Sequence, residues 1–140
     1  MKIAFVGGGT MAEALMGGVI SAELARPDEI SVGEPVRLRR DYLSEKYGVN
    51  THAENGAAVD GADLVLLAIK PQDLPAVAQG LKKQLKPNQA ALSIIAGAKM
   101  STLMDGLGHS AIIRVMPNTP AQIGHGMSVW TATSDVPGPV

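Results

Sequence analysis

Short apolar runs alternate along this chain with longer stretches of helical pattern. Several runs are apolar at consecutive positions, which is typical of strands covered on both faces, as in a parallel sheet. The strand candidates are residues 3–6, 30–32, 64–69, 91–96, 112–116 and 127–131. The helix candidates are residues 11–24, 36–47, 55–59, 74–85 and 101–107, with Asp73 as the expected N-cap of the fourth. This alternation predicts right-handed crossovers and a doubly wound α/β fold, with a mostly parallel sheet and helices on both of its faces.

Three glycines directly follow the first apolar run, in "KIAFVGGGTMAEAL". Gly7, Gly9 and Ala12 fit the pattern G-x-G-x-x-[GA], placed between a strand and a helix as in Rossmann-like dinucleotide-binding domains. In that setting Gly7 permits the tight turn, Gly9 lets a pyrophosphate approach the backbone, and Ala12 lets the helix pack closely on the strand. A phosphate-loop NTPase is excluded, because no Gly-Lys-[Ser/Thr] follows. The alternative interpretation is a glycine-rich turn that binds nothing.

An acidic residue ends the second apolar run, where it can bond the adenine ribose hydroxyls of a dinucleotide. Glu34 in "ISVGEP" stands at this position, and its charge disfavours the 2′-phosphate of NADP. Arg37, Arg39 and Arg40 follow, and arginines attract such a phosphate. For Arg39 and Arg40 we favour the interpretation that they lie in a solvated first helical turn. The residues therefore favour NADH over NADPH.

Composition excludes several other classes of protein. The 140 residues suit one domain, and a net charge of −1 without a basic stripe argues against nucleic acid as a partner. No apolar run is long enough to span a bilayer, and the glycines and Glu13 interrupt the pattern of a signal peptide. Cysteine is absent, which excludes disulfides and fits a cytoplasmic location. His52, His109 and His125 lack the spacing of metal ligands, so no metal site is expected.

Four motifs in this order resemble the N-terminal domain of pyrroline-5-carboxylate reductase: "FVGGGTMAEAL", "LLAIKPQ", "SIIAGA" and "RVMPNTP". The resemblance covers essentially the whole chain and implies reduction of the cyclic imine 1-pyrroline-5-carboxylate to L-proline with NADPH or NADH. Members of that family more often carry a small hydroxyl residue at the position of Glu34. This departure bears on the family's usual preference for NADPH.

The resemblance also implies where a cofactor would lie. The implied contacts are Val6, Gly7, Gly8, Gly9, Thr10 and Met11 at the pyrophosphate; Glu34 and Asn55 at the adenosine; Ala68, Ile69, Lys70 and Pro71 along the cofactor; Ile94, Ile95 and Ala96 near the nicotinamide; and Asn118 and Thr119 at its ring. A solvent-facing loop lysine is an equally good interpretation of Lys70. Asn118 is the better functional candidate, because its amide can both donate and accept near a carboxamide; the alternative is ordinary turn chemistry before Thr119 and Pro120. No catalytic proton donor or substrate clamp is evident in the chain.

The expected organisation is a dinucleotide-binding domain over residues 1–132 and a linker over residues 133–140. The resembling enzymes continue into a helical domain that dimerises and supplies most of the imine pocket. We therefore expect the 140 residues alone to bind cofactor and turn over little substrate, and to form a homo-oligomer only with that domain. Three alternatives stay open: a non-catalytic dinucleotide-sensing module, a related imine or carbonyl reductase, and a methyltransferase that uses S-adenosylmethionine.

Overall fold

The computed structural model describes residues 1–82, 84–117 and 128–132. The strands are β1 (Ile3–Val6), β2 (Ile30–Gly33), β3 (Asn50–His52), β4 (Leu64–Leu67), β5 (Ala90–Ser93), β6 (Ile112–Pro117) and β7 (Ser128–Ala132). The helices are α1 (Thr10–Ser21), α2 (Arg37–Tyr47), α3 (Asn55–Val59), α4 (Leu74–Leu81) and α5 (Met100–Leu107). Short 3₁₀ turns at Pro27–Glu29 and Pro71–Asp73 lead into β2 and α4. In the described part of the chain, no helix combines the length and apolar character needed to cross a membrane.

The seven strands of the described residues form one sheet in the order β3-β2-β1-β4-β5-β6-β7. Strands β1 to β6 pair in parallel, and β7 is antiparallel to β6. Ile3 in β1 is in register with Ile30 in β2 and with Leu64 in β4. The direction of strand addition therefore reverses beside β1, which is the doubly wound arrangement that the alternating pattern predicts. The predicted fold class is confirmed.

Helices cover both faces of the sheet and enclose two separate apolar cores. Ile3 and Phe5 of β1 pack on the side of α1 and α2, where Met16 and Leu43 are fully buried. Ala4 and Val6 pack on the other side, in a core shared with α3, α4 and α5. Because successive side chains of a strand point to opposite faces, a strand buried on both faces must be apolar at every position.

The element boundaries differ from the predicted ones in ways that have local causes. Strand β3 is absent from the apolar runs, because its sequence "NTH" is polar and half exposed at the sheet edge. Strand β5 ends at Ser93, three residues before the end of its apolar run, and the chain turns at Gly97 with a φ of +76°. Asp73 stands at the predicted N-cap position of α4, but its side chain forms no capping hydrogen bond with the helix. Its backbone is already helical, since the 3₁₀ turn runs directly into the helix.

Candidate dinucleotide-binding site

The sequence-predicted site residues within the described part of the chain lie at the carboxyl ends of the parallel strands. Residues 6–11 run from the last residue of β1 through the glycine turn into the first two residues of α1. Glu34 follows β2, and Asn55 begins α3 just past β3. Residues 68–71 follow β4, and residues 94–96 follow β5. In open α/β sheets, ligands bind outside these ends of the strands, at the point where the strand order reverses. That point lies between β1 and β4.

Gly7 makes the sharp turn at the end of β1, where it lies against the chain after β4. Its φ is +99°, a conformation that residues with a Cβ rarely adopt. A Cβ built on Gly7 would lie 2.5 Å from the carbonyl oxygen of Ala68 and 3.0 Å from Cγ2 of Ile69. The backbone N–H of Ala68 donates to the carbonyl of Val6 at 2.9 Å, which keeps the two loops together. A glycine at position 7 is therefore required by both conformation and space.

The first turn of α1 presents backbone N–H groups that no side chain caps. Gly9 is the N-cap residue and has no side-chain oxygen to accept from these groups. The first four N–H groups of a helix have no partner within the helix, and together with the helix dipole they favour an anion. A Cβ built on Gly9 meets no described atom within 4 Å, so the space beside it is open. This niche fits the pyrophosphate of a dinucleotide.

Glu34 is held between the glycine turn and the start of α2. Its Oε1 accepts from the backbone N–H of Gly8 at 3.2 Å, and its Oε2 accepts from the N–H of Val36 at 2.8 Å. The carboxylate is therefore fixed at the end of β2, and it occupies the N–H of Gly8. The amides left for a pyrophosphate are those of Gly9 and the first residues of α1.

Asn55 packs directly against the end of β2. A Cβ on Gly33 would overlap Oδ1 of Asn55 and would lie 3.1 Å from its Cα. Gly33 is thus the residue that lets α3 begin close to Glu34. The glycine pattern after β1 does not include Gly33, and its only sequence signal is its position directly before Glu34 in "VGEP".

The three arginines after Glu34 have different environments. The expectation that Arg39 and Arg40 lie in a solvated helical turn is wrong, because both are half buried and bonded to backbone carbonyls. Arg39 donates through Nε to the carbonyl of Gly8, and Arg40 donates to the carbonyls of Glu34 and Pro35 at 2.8 Å. Arg37 is largely exposed, and its Nε lies 3.9 Å from Oδ2 of Asp41.

Glu13, in the first turn of α1, is the acceptor for a cluster of side chains on α2. Its donors are Arg39 at 2.7 Å, Tyr47 at 2.7 Å, Tyr42 at 2.9 Å and Lys46 at 3.2 Å. The hydrogen bonds from Tyr47 and Tyr42 are the main cause that lowers the pKa of Glu13 from 4.5 to about 2. Glu13 was not among the predicted site residues, and a lone glutamate within a helical pattern carries no signal for this role.

The remaining predicted contacts have other environments than the glycine turn. Lys70 is exposed, and Ile95 is buried in the core. Asn118 and Thr119 lie outside the described residues, as does His125. The Nε2 of His109 bonds the carbonyl of Gln89 at 2.7 Å, in the segment before β5 and away from the glycine turn. Among the described residues, no group of three His, Cys, Asp or Glu side chains could hold a metal ion.

The strand order and the glycine turn at its reversal define a Rossmann-like domain. Residues 2–97 match the model of the family described as "NADP oxidoreductase coenzyme F420-dependent", and the chain belongs to this family.

Pyrroline-5-carboxylate reductases are among the similar proteins. The chain is 39% identical over 136 residues to the one from Synechocystis, covering 97% of this chain and 51% of that protein. It is 35% identical over 130 residues to the one from Arabidopsis thaliana, covering 93% and 47%. The solved structure of a pyrroline-5-carboxylate reductase from Coxiella burnetii matches with a TM-score of 0.88 at 31% identity, covering 99% of this chain and 52% of that one. The predicted resemblance is confirmed, and the chain spans about half the length of these relatives.

Proposed function

We propose that this chain is the cofactor-binding part of a reductase that converts 1-pyrroline-5-carboxylate to L-proline with a reduced nicotinamide dinucleotide. The observation that carries the proposal is the 39% identity, along 97% of this chain, to a protein named pyrroline-5-carboxylate reductase. When bound, the cofactor supplies the hydride that reduces the C=N bond. The chain's own residues bind and orient it.

The geometry of the glycine turn supports the binding step. The amides of Gly9, Thr10 and Met11 lie at the uncapped start of α1, where they would donate to the pyrophosphate. Position 7 must be glycine, because a Cβ there would overlap the loop that follows β4. The proposed nicotinamide end lies farther along the sheet, toward residues 94–96 after β5. Asn118 and Thr119 are proposed contacts to the nicotinamide ring.

We propose that the cofactor is NADH in preference to NADPH. The carboxylate of Glu34 is held by two backbone N–H groups at the end of β2, where an adenine ribose would bond. A 2′-phosphate placed there would meet a fixed negative charge. Arg39 and Arg40 are already engaged with backbone carbonyls, and Arg39 also with Glu13, which leaves only Arg37 of the three largely exposed. Electrostatics at this end of the site therefore favour a free ribose hydroxyl.

The organisation of the full enzyme follows from the same proposal. Residues 1–132 would form the dinucleotide-binding domain, and residues 133–140 would lead to a helical domain. That domain would supply most of the imine pocket and the dimer interface, and the enzyme would work in the cytoplasm. The 140 residues alone would then bind cofactor and show little turnover.

A calorimetric titration of the chain with NADH and with NADPH tests the cofactor part. We expect saturable binding of both, tighter for NADH, and an inverted preference in the Glu34→Arg variant. Glu45→Arg is the matched control, because it makes the same charge reversal at an exposed position near the far end of α2 and should change the preference little. No binding of either dinucleotide would refute the proposed function.

A chimera tests the reaction. Residues 1–140 would be joined to the remaining half of the Synechocystis relative, and oxidation of NADH would be followed on addition of 1-pyrroline-5-carboxylate. We expect turnover by the chimera and little by the chain alone. A folded, NADH-binding chimera without turnover would contradict the proposed substrate.

A further inference from the structure

Gly8 and Gly9 are joined by a peptide group whose carbonyl is held by a side chain from another element. Arg39 on α2 donates to the carbonyl of Gly8 through Nε, and its Nη2 lies 2.7 Å from Oε1 of Glu13 on α1. We propose that Arg39, anchored by Glu13, is a positioning residue that orients the Gly8–Gly9 peptide so that the N–H of Gly9 faces the pyrophosphate. This inference rests on the proposed function.

The physical basis is the planarity of the peptide group. In a trans peptide the C=O of one residue and the N–H of the next point in opposite directions, and the described chain contains no cis peptide. A peptide between two glycines has no Cβ on either side to restrict its rotation. Fixing the carbonyl of Gly8 toward Arg39 therefore fixes the N–H of Gly9 on the opposite side.

The preceding peptide is fixed from its other end. The N–H of Gly8 donates to Glu34, and the N–H of Gly7 donates to the carbonyl of Gly33 at 2.9 Å. Two consecutive N–H groups of the turn are thus committed to protein acceptors. The N–H of Gly9 is the first amide of the turn that a ligand can use, so its direction decides how the turn meets an anion.

Arg39 is itself held firmly. Its guanidinium carbon lies 4.9 Å from the centre of the Tyr42 ring, and its side chain is 28% exposed. Leu43, on the same helix, is fully buried, and its Cδ1 would lie 2.9 Å from a Cβ on Gly8. Helix α2 therefore packs on the glycine turn and carries the arginine to it.

The test compares Arg39→Gln with the unchanged chain by calorimetry, using NADH and adenosine diphosphate ribose. The second ligand carries the pyrophosphate and lacks the nicotinamide. Loss of a charge-assisted hydrogen bond predicts about tenfold weaker binding of both ligands, by the same factor. The ratio of NADH to NADPH affinity should stay unchanged, because Arg39 acts on the peptide and not on the ribose.

Two further variants separate positioning from general stability. Glu13→Gln keeps Arg39 and removes its charged anchor, so it should weaken both ligands less than Arg39→Gln does. Lys46→Met removes another donor to Glu13 without touching Gly8, and should leave affinity unchanged. In the ligand-free chain, the ¹⁵N–¹H signal of Gly9 should shift in Arg39→Gln and stay in place in Lys46→Met. Should Arg39→Gln fail to fold, Glu13→Gln gives the same readouts.

The outcomes distinguish this inference from the proposed function. If the unchanged chain binds neither dinucleotide, the proposed function fails and this inference with it. If the unchanged chain binds NADH and the folded Arg39 and Glu13 variants bind it equally well, only the positioning role is overturned. Equal weakening in Lys46→Met would also overturn it, since the loss would then come from the α1–α2 contact as a whole.

Discussion

Substitution by alanine should have different effects at Gly7 and at Gly9: the first should lower stability, and the second should weaken cofactor binding. At Gly7 the φ of +99° costs a residue with a Cβ about 1–2 kcal/mol. The new Cβ would also lie 2.5 Å from the carbonyl oxygen of Ala68. That oxygen belongs to backbone anchored by the hydrogen bond to Val6, so relief requires movement of the β4 loop, and overpacking of this kind costs about 1–3 kcal/mol. We therefore expect Gly7→Ala to lower the free energy of unfolding by about 2–5 kcal/mol.

At Gly9 the backbone is extended, with a φ of −79° and a ψ of −167°, and a Cβ would meet no described atom within 4 Å. Gly9→Ala should therefore change the free energy of unfolding by less than about 0.5 kcal/mol. Its methyl group would stand where a pyrophosphate approaches, so NADH should bind about tenfold more weakly or worse, a loss of about 1.4 kcal/mol or more.

Urea unfolding followed by circular dichroism gives the stabilities, and calorimetry gives the affinities. A Gly7→Ala variant as stable as the unchanged chain would refute the packing argument. A Gly9→Ala variant that binds NADH normally would refute the placement of the pyrophosphate.

Two other predictions concern the surroundings of the turn. Gly33→Ala should both lower the free energy of unfolding and weaken NADH binding, because the new Cβ would overlap Asn55 at the start of α3. Urea unfolding and calorimetry on the same sample check this prediction. A variant with unchanged stability and unchanged NADH affinity would contradict the packing described. Glu13 has a pKa lowered from 4.5 to about 2, so its ionised form stabilises the fold fully above pH 4.5, and that contribution is lost as the pH falls toward 2. The difference in unfolding free energy between the unchanged chain and Glu13→Gln should therefore shrink over that range, and a difference that grows on acidification would contradict the hydrogen-bond cluster.

The fold was largely readable from the sequence, because strands buried on both faces must be apolar throughout. The side chains of Ile3 to Val6 alternate between the two apolar cores. All four residues must therefore be apolar, and the sequence shows an uninterrupted apolar run. Strand β3 lies at the sheet edge and is not buried on both faces, so it need not be apolar. Its polar sequence therefore gives no strand signal.

The candidate site was predictable only where local chemistry determines the residue. Gly7 is required by its own backbone angle and its close neighbour, so a motif finds it. Arg39 acts through a contact with Gly8, 31 residues away, and its anchor Glu13 is 26 residues away. Nothing in the local sequence distinguishes such an arginine from one in a solvated helical turn.

The central claim is that the amides at the start of α1 hold the diphosphate of a nicotinamide dinucleotide. An NMR titration tests this claim most directly. The ¹⁵N–¹H signals of Gly9, Thr10 and Met11 would be followed as NADH is added. Gly48 and Gly108, at the ends of α2 and α5, serve as internal references. The account predicts saturable shifts at the three turn residues and little change at the references. Binding that moves other signals and leaves these three in place would contradict it.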